Sequence, residues 1–111
     1  MSLTIQDFKK IDIRKGTVIK AKNFPEARNP SIKLWIDFGE NIGVKKSSAQ
    51  IFENYTLENL IGFQVIAVVN FLPMQIGPFI SEVLILGFED SEGFIRLAKP
   101  DGKVKDGSKL I

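Results

Sequence analysis

The chain has 111 residues, 44% hydrophobic and 25% charged, with 15 basic and 13 acidic side chains for a net charge of +2. That composition fits one folded domain over residues 1–111 and excludes a disordered chain. It has no Cys and no His, which excludes disulfides, thiolate metal sites, a thiol nucleophile and a Ser-His-Asp triad. Its longest uninterrupted apolar run, Val65–Val69, falls far short of the roughly 20 residues that span a bilayer. The N-terminus shows no basic segment followed by an apolar one. The expectation is a cytoplasmic protein without membrane insertion, with no metal, no cofactor and no catalytic residue.

Thr4-Ile5-Gln6-Asp7 carries a helix start, because Thr4 caps and Asp7 stands where an acid reciprocates the cap. Ile5, Phe8 and Ile11 recur at helical spacing, so a short turn of helix is predicted to dock on the core. From Ile13 to Ala21 the period becomes two. The odd positions read Ile13, Lys15, Thr17, Ile19 and Ala21, while Arg14, Lys20 and Lys22 occupy even ones. A long half-buried strand follows, with Gly16 at a bend or bulge. Phe24–Ser31 is a loop held by Pro25 and Pro30. Ile32–Phe38 alternates cleanly, with Ile32, Leu34, Ile36 and Phe38 on one side and Lys33, Trp35 and Asp37 on the other.

A third strand is predicted over Ile42–Ser48. A short helix opens at Thr56 and ends at Gly62. Phe63–Leu72 is apolar on both faces and reads as a central strand. Glu82–Phe88 and Phe94–Ala98 make two more, joined by a turn at Ser91-Glu92-Gly93, and turns follow at Asp101-Gly102 and Asp106-Gly107. Three strands, a helix and two further strands describe an all-β barrel with short helices: a five-stranded OB-fold with N- and C-terminal extensions. An SH3-like barrel fits less well, since it does not usually place a helix there.

Basic residues crowd the first half: Arg14, Lys15, Lys20, Lys22, Arg28, Lys33, Lys45 and Lys46. They form either a positive face or an ordinary solvated surface. A barrel of this kind binds on its second and third strands and the adjacent loops. Those strands offer Lys33, Trp35, Lys45 and Lys46, an aromatic to stack on a base and ammoniums to meet phosphate. Arg14 extends the candidate set. Trp35 serves a protein surface equally well. Ser47 and Ser48 either donate to phosphate or cap the turn that follows. No phosphate-binding glycine loop, nucleophile elbow or dinucleotide fingerprint is present.

The runs Asp12-Ile13-Arg14-Lys15-Gly16, Phe24-Pro25-Glu26-Ala27-Arg28, Lys33-Leu34 and Asp37-Phe38-Gly39 come in that order. Lys46-Ser47-Ser48-Ala49-Gln50-Ile51, Val69-Asn70-Phe71-Leu72-Pro73 and Ser81-Glu82-Val83-Leu84 follow. Together they resemble the tRNA-binding domains appended to methionyl- and phenylalanyl-tRNA synthetases, and especially the stand-alone, export-related chaperones of CsaA type. The resemblance spans Thr4 to Ile111. It implies an OB barrel in a homodimer with the terminal segments at the interface, and no catalytic chemistry. The partners it implies are tRNA, recognised by shape, or unfolded precursor proteins on their way to the export machinery.

It also assigns Asn70, Ser81 and Glu82 to the ligand-facing end of the barrel. Asn70 and Ser81 serve equally well to satisfy backbone groups of the loop Pro73–Ile80. Where related proteins carry basic residues, this chain has Met74-Gln75-Ile76-Gly77-Pro78-Phe79-Ile80. Met74, Ile76 and Phe79 are therefore expected to line a groove for apolar polypeptide, beside Asn70, Ser81 and Glu82. The alternative is that Ile76 and Phe79 fold inward and plug the barrel end.

Overall fold

Thr4 caps the first element as predicted in the computed structural model, which describes residues 1–111. Its Oγ1 accepts from the Asp7 N–H at 3.1 Å, and the Asp7 carboxylate accepts from the Thr4 N–H at 3.0 Å, opening helix α1, Ile5–Lys9. The Thr4 N–H, then its hydroxyl, hold the Asp7 carboxyl below the usual carboxylate range. The helix does not dock its apolar side on the barrel: Ile5 and Phe8 are exposed. So short a helix is marginal alone, and it is anchored at its exit instead. Asn70 Nδ2 donates to the Lys10 carbonyl at 2.8 Å, and Asn70 Oδ1 accepts from the Asp12 N–H at 2.9 Å.

Strands β1 (Ile13–Asn23), β2 (Ile32–Asp37) and β3 (Val44–Ala49) form an antiparallel meander. Helix α2, Leu57–Leu60, follows β3 behind a second capping box, Thr56 with Asn59, and the chain leaves it through Gly62 at φ +84°. Strand β4, Gln64–Val68, then pairs with the first half of β1. A short hairpin comes next, β5 (Met74–Ile76) with β6 (Phe79–Ser81), before β7, Leu84–Ile85, pairs with β4. The barrel order is β3-β2-β1-β4-β7. It closes where the Glu82 N–H donates to the Lys46 carbonyl at 2.7 Å, the Lys46 N–H donates to Glu82 Oε1 at 2.9 Å, and Ser47 Oγ donates to the Val83 carbonyl at 2.8 Å. The result is a nearly closed five-stranded OB-type barrel. Val18, Leu34, Ile36, Phe38, Ile51, Leu60, Val65 and Ala67 are among the side chains filling it. No helix is long and apolar enough to cross a membrane.

Several sequence expectations shift. Strand β1 does not keep one phase. Its register with β2 slips between Val18 and Lys20, so Val18 is buried while Ile19 is left half-exposed on the bulge. Gly16 is not the bulge: a Cβ there would stand 2.5 Å from Ile36 Cγ2 and 2.8 Å from the Phe38 ring, so its role is close approach. The predicted strand Phe63–Leu72 ends at Val68, because Asn70 turns to the α1 exit, and Phe71 and Leu72 are exposed. Pro73–Ile80 is largely a hairpin turning at Gly77-Pro78, with Gly77 at φ +57°. Glu82–Phe88 divides into β7 and β8 (Gly87–Glu89), and β8 pairs with β9, Ile95–Leu97. The Asp90 carboxylate builds that turn, accepting from the Glu92 and Phe94 N–H groups at 2.9 and 3.0 Å.

The C-terminal segment is sewn to the free edge of β1. The Gly107 N–H donates to the Lys15 carbonyl at 2.8 Å, the Lys15 N–H to Ser108 O at 2.9 Å and the Leu110 N–H to Ile13 O at 2.9 Å. Lys15, 8% exposed, extends its ammonium to Asp106 Oδ1 at 2.7 Å and Thr17 Oγ1 at 3.0 Å. Thr17 also donates to that carboxylate, at 2.6 Å.

Candidate ligand-binding face

Cross-strand partners in an antiparallel sheet share a face, so register decides which of the candidate residues meet. Lys22 on β1 stands opposite Lys33 on β2, which stands opposite Ser48 on β3. The next row is Lys20, Trp35 and Lys46. These rows lie on the outside of the barrel, opposite the buried row of Ile32, Leu34 and Ile36.

An aromatic floor underlies the lysines. Phe79, brought over by the β5–β6 hairpin, packs edge-on against Phe24 at 5.4 Å and Trp35 at 6.0 Å between ring centroids. Lys20 Nζ lies 4.7 Å from the Trp35 ring, Lys33 Nζ 4.9 Å from Phe24 and 5.5 Å from Phe79, and Lys46 Nζ 5.2 Å from Phe79. Cation–π contact holds each ammonium against a ring while leaving its other side open. None of these lysines is in an ion pair. The four pairs of the chain are Lys10–Asp7, Arg14–Asp12, Lys15–Asp106 and Arg96–Asp90. Lys22 directly opposite Lys33 costs stability in the free protein, a cost that a bound anion relieves.

The structure sorts the expected site residues. Lys33, Trp35, Lys46 and Ser48 come together. Three others do not. Arg14 lies on the opposite side of β1, in register with the buried Ala67, and its guanidinium is bound to the Asp12 carboxylate at 2.7 Å and the Gly107 carbonyl at 3.0 Å. Lys45 is in register with Ile36 and so belongs to the core-facing side of β3, at the barrel rim. Ser47 is 1% exposed and its hydroxyl is spent on the Val83 carbonyl, out of reach of a phosphate.

The hairpin residues divide as well. Met74, Ile76, Phe79 and Ser81 share one hairpin face by register, but Phe79 is 6% exposed and belongs to the floor rather than to an open groove. Met74 is exposed and Ile76 half-buried. Asn70 spends its amide on the α1 exit, not on backbone groups of the loop Pro73–Ile80. Ser81 Oγ sits 3.4 Å from both Ser47 Oγ and the Val83 carbonyl, and Glu82 is bound to β3. Sequence reading named Lys20 and Lys22 only among the basic residues of a possible positive face, without placing them beside Trp35, and it missed Phe24. Both lysines alternate with apolar residues after Ile19, but only the β2 pairing shows that they join the Trp35 side.

A family model described as a putative tRNA binding domain matches residues 13–109. Among solved structures, the chaperone CsaA of Bacillus anthracis is 45% identical with a TM-score of 0.93, each chain covering 100% of the other. The CsaA chaperone protein of Picrophilus torridus is 48% identical with a TM-score of 0.92, over 99% of this chain and 100% of that one. The methionine–tRNA ligase of Porphyromonas gingivalis is 33% identical over 108 residues, 97% of this chain and 15% of the ligase. The chain thus spans about a sixth of the length of the curated ligases it matches.

Proposed function

This chain belongs to the putative tRNA-binding-domain family, and from that premise we propose that it is a non-enzymatic, CsaA-like chaperone that holds unfolded precursor polypeptides for export. The observation that carries this reading is a run of apolar side chains left in solvent: Phe71, Leu72 and Met74 are 52%, 92% and 65% exposed. They follow one another into a hairpin whose partly buried face supplies Ile76. Exposed apolar patches of this kind mark interaction surfaces, and a flexible Met adapts to many side chains. Whole-length similarity to two CsaA chaperones points the same way. The protein works as a cytoplasmic homodimer. Ile5 and Phe8 of α1, Leu84 of β7 and the terminal Leu110 and Ile111 are all exposed, and pairing two copies would cover them. A lone 12.4 kDa species in light scattering at micromolar concentration would refute the dimer.

The test of the polypeptide reading is a Leu72→Lys, Met74→Lys double variant. Both side chains are exposed, so the barrel should be retained. Suppression of aggregation of a denatured client is expected to drop several-fold; undiminished suppression sinks the reading.

A second reading, tRNA binding, is favoured by Lys20, Lys33 and Lys46 above their aromatic floor, with Lys22 opposite Lys33 and none of the four in an ion pair. Phe24 and Phe79 are too buried to stack on bases, so the face suits the phosphate backbone and the shape of a folded RNA. Replacing Lys20, Lys33 and Lys46 by Ala should weaken tRNA retention and lower the salt slope by roughly 0.7–0.9 for each phosphate that is no longer neutralised.

A further inference from the structure

Beyond the lysine rows, where β1 and β2 run out, lies an open cleft of about 220 Å³ lined by Asn23, Phe24, Pro25, Pro30, Ser31 and Phe52. It is smaller than the roughly 300–1,000 Å³ of a pocket for a drug-sized ligand, so it suits one planar group. Phe52 is 50% exposed and offers a free ring, while Phe24, 2% exposed, joins this cleft to the aromatic floor under Lys33. The two prolines fix the backbone of the facing loop. The rim is polar. Ser31 Oγ donates to the Asn29 carbonyl at 2.9 Å and keeps its acceptor sites. The exposed Asn23 amide takes no part in the hydrogen bonds tying that loop, leaving a donor and an acceptor side by side at the mouth. Lys22 adjoins Asn23 in sequence, faces Lys33 across the sheet and has no carboxylate partner.

We propose that this cleft takes a single unpaired nucleobase of RNA, stacked on Phe52 and read at its edge by Asn23, with the flanking phosphates on Lys22 and Lys33. The proposal rests on the RNA reading of the lysine face. An unstacked base needs an aromatic surface, a hydrogen-bonding edge and cations within one nucleotide's reach; the cleft supplies the ring and the edge, and the lysine row beside it supplies the cations, with Lys33 Nζ 4.9 Å from the Phe24 ring that lines the cleft. An apolar side chain of a polypeptide would use the ring but would leave the amide and both ammoniums without a role.

The experiment uses two RNA hairpins of equal length, one with a single bulged 2-aminopurine and one fully paired. Binding is followed by anisotropy and by 2-aminopurine emission. The Phe52→Ala and Asn23→Ala variants should each bind the bulged hairpin less well, Phe52→Ala by at least about five-fold given the usual worth of one base–aromatic stack. Affinity for the paired hairpin should stay within two-fold, and Phe52→Trp should restore the emission change. Equal losses on both RNAs, or no loss on either, overturn the proposal. If the bulged hairpin binds and responds only to the Lys20, Lys33 and Lys46 substitutions, the cleft is not a base site, while the RNA reading stands. Absence of any RNA binding defeats both. A Phe52→Ala effect confined to capture of denatured polypeptide assigns the cleft to apolar side chains and also overturns it.

Discussion

Strand β1 carries two kinds of lysine, and their surroundings differ in every respect. Lys15 is 8% exposed, bonded to Asp106 and Thr17 and covered by the C-terminal segment. Lys20, past the bulge, is exposed, lies over the Trp35 ring and has no carboxylate partner. Arg14 and Lys46 extend the contrast: the first is bound to Asp12 and Gly107, the second rests on Phe79. A buried cation must be paired, since an uncompensated charge out of water costs several kcal/mol. An exposed one has no such requirement and contributes little to the fold. The cations at the start of β1 therefore hold the chain together, and those past the bulge remain free for an anionic ligand. Residue type does not separate the two groups; the presence of a carboxylate within reach does.

The comparison breaks most visibly at Asp106. Asp106→Ala leaves Lys15 buried beside Thr17 alone. The loss should be about 2–4 kcal/mol, at the lower side of the figures for broken buried pairs because the Asp106 side chain is 30% exposed. A fall in the urea midpoint at constant m would register it, and a change under about 0.5 kcal/mol would show that the pair does not fasten the C-terminal segment. The same pair predicts a pH effect. Burial opposes ionisation of Asp106, but hydrogen bonds from Lys15 and Thr17 and the Lys15 charge outweigh it and hold its carboxyl below the ordinary value of 3.8. With the folded value depressed, the contribution is present in full above the unfolded value and is lost as pH falls through the folded one. Below about pH 4, Asp106→Asn should therefore lose stability less steeply than the parent.

Asn70 gives an intermediate effect. Its amide joins the α1 exit to the end of β4, so Asn70→Ala removes partners from the Asp12 N–H and the Lys10 carbonyl. A loss of about 1–2 kcal/mol is expected, with hydrogen-exchange protection falling first around Asp12. Unchanged exchange there would assign the anchoring of α1 to other contacts.

The smallest expected effect on stability is at Lys33. Lys33→Ala should move stability by no more than about 0.5 kcal/mol in either direction, because removing the like-charged neighbour of Lys22 offsets the side-chain packing given up. A loss above about 1.5 kcal/mol would place Lys33 with Lys15 as a structural cation and erase the contrast between the two ends of β1.

What the amino-acid order determined by itself is local. The capping box of Thr4 with Asp7, the helix start at Thr56 and the alternation of Ile32, Leu34, Ile36 and Phe38 could be read directly, because a cap and a pleat involve only near neighbours in the chain. The order of strands and helix gave the barrel for the same reason. What only the tertiary structure decided is phase and partnership. The bulge at Ile19 turns Lys20 and Lys22 to the Trp35 side, and pairing with Ile36 turns Lys45 away from it. Phe79 becomes floor because Phe24 and Trp35 already stand beneath the hairpin, and Asn70 becomes an anchor because α1 ends beside it. Each outcome depends on a residue distant in sequence. A one-residue slip in pairing reverses the side a residue faces, and a polar group goes to whichever unsatisfied partner the fold brings within reach. Composition and spacing could therefore name the kinds of residue at the site, but only pairing between distant segments could assemble them.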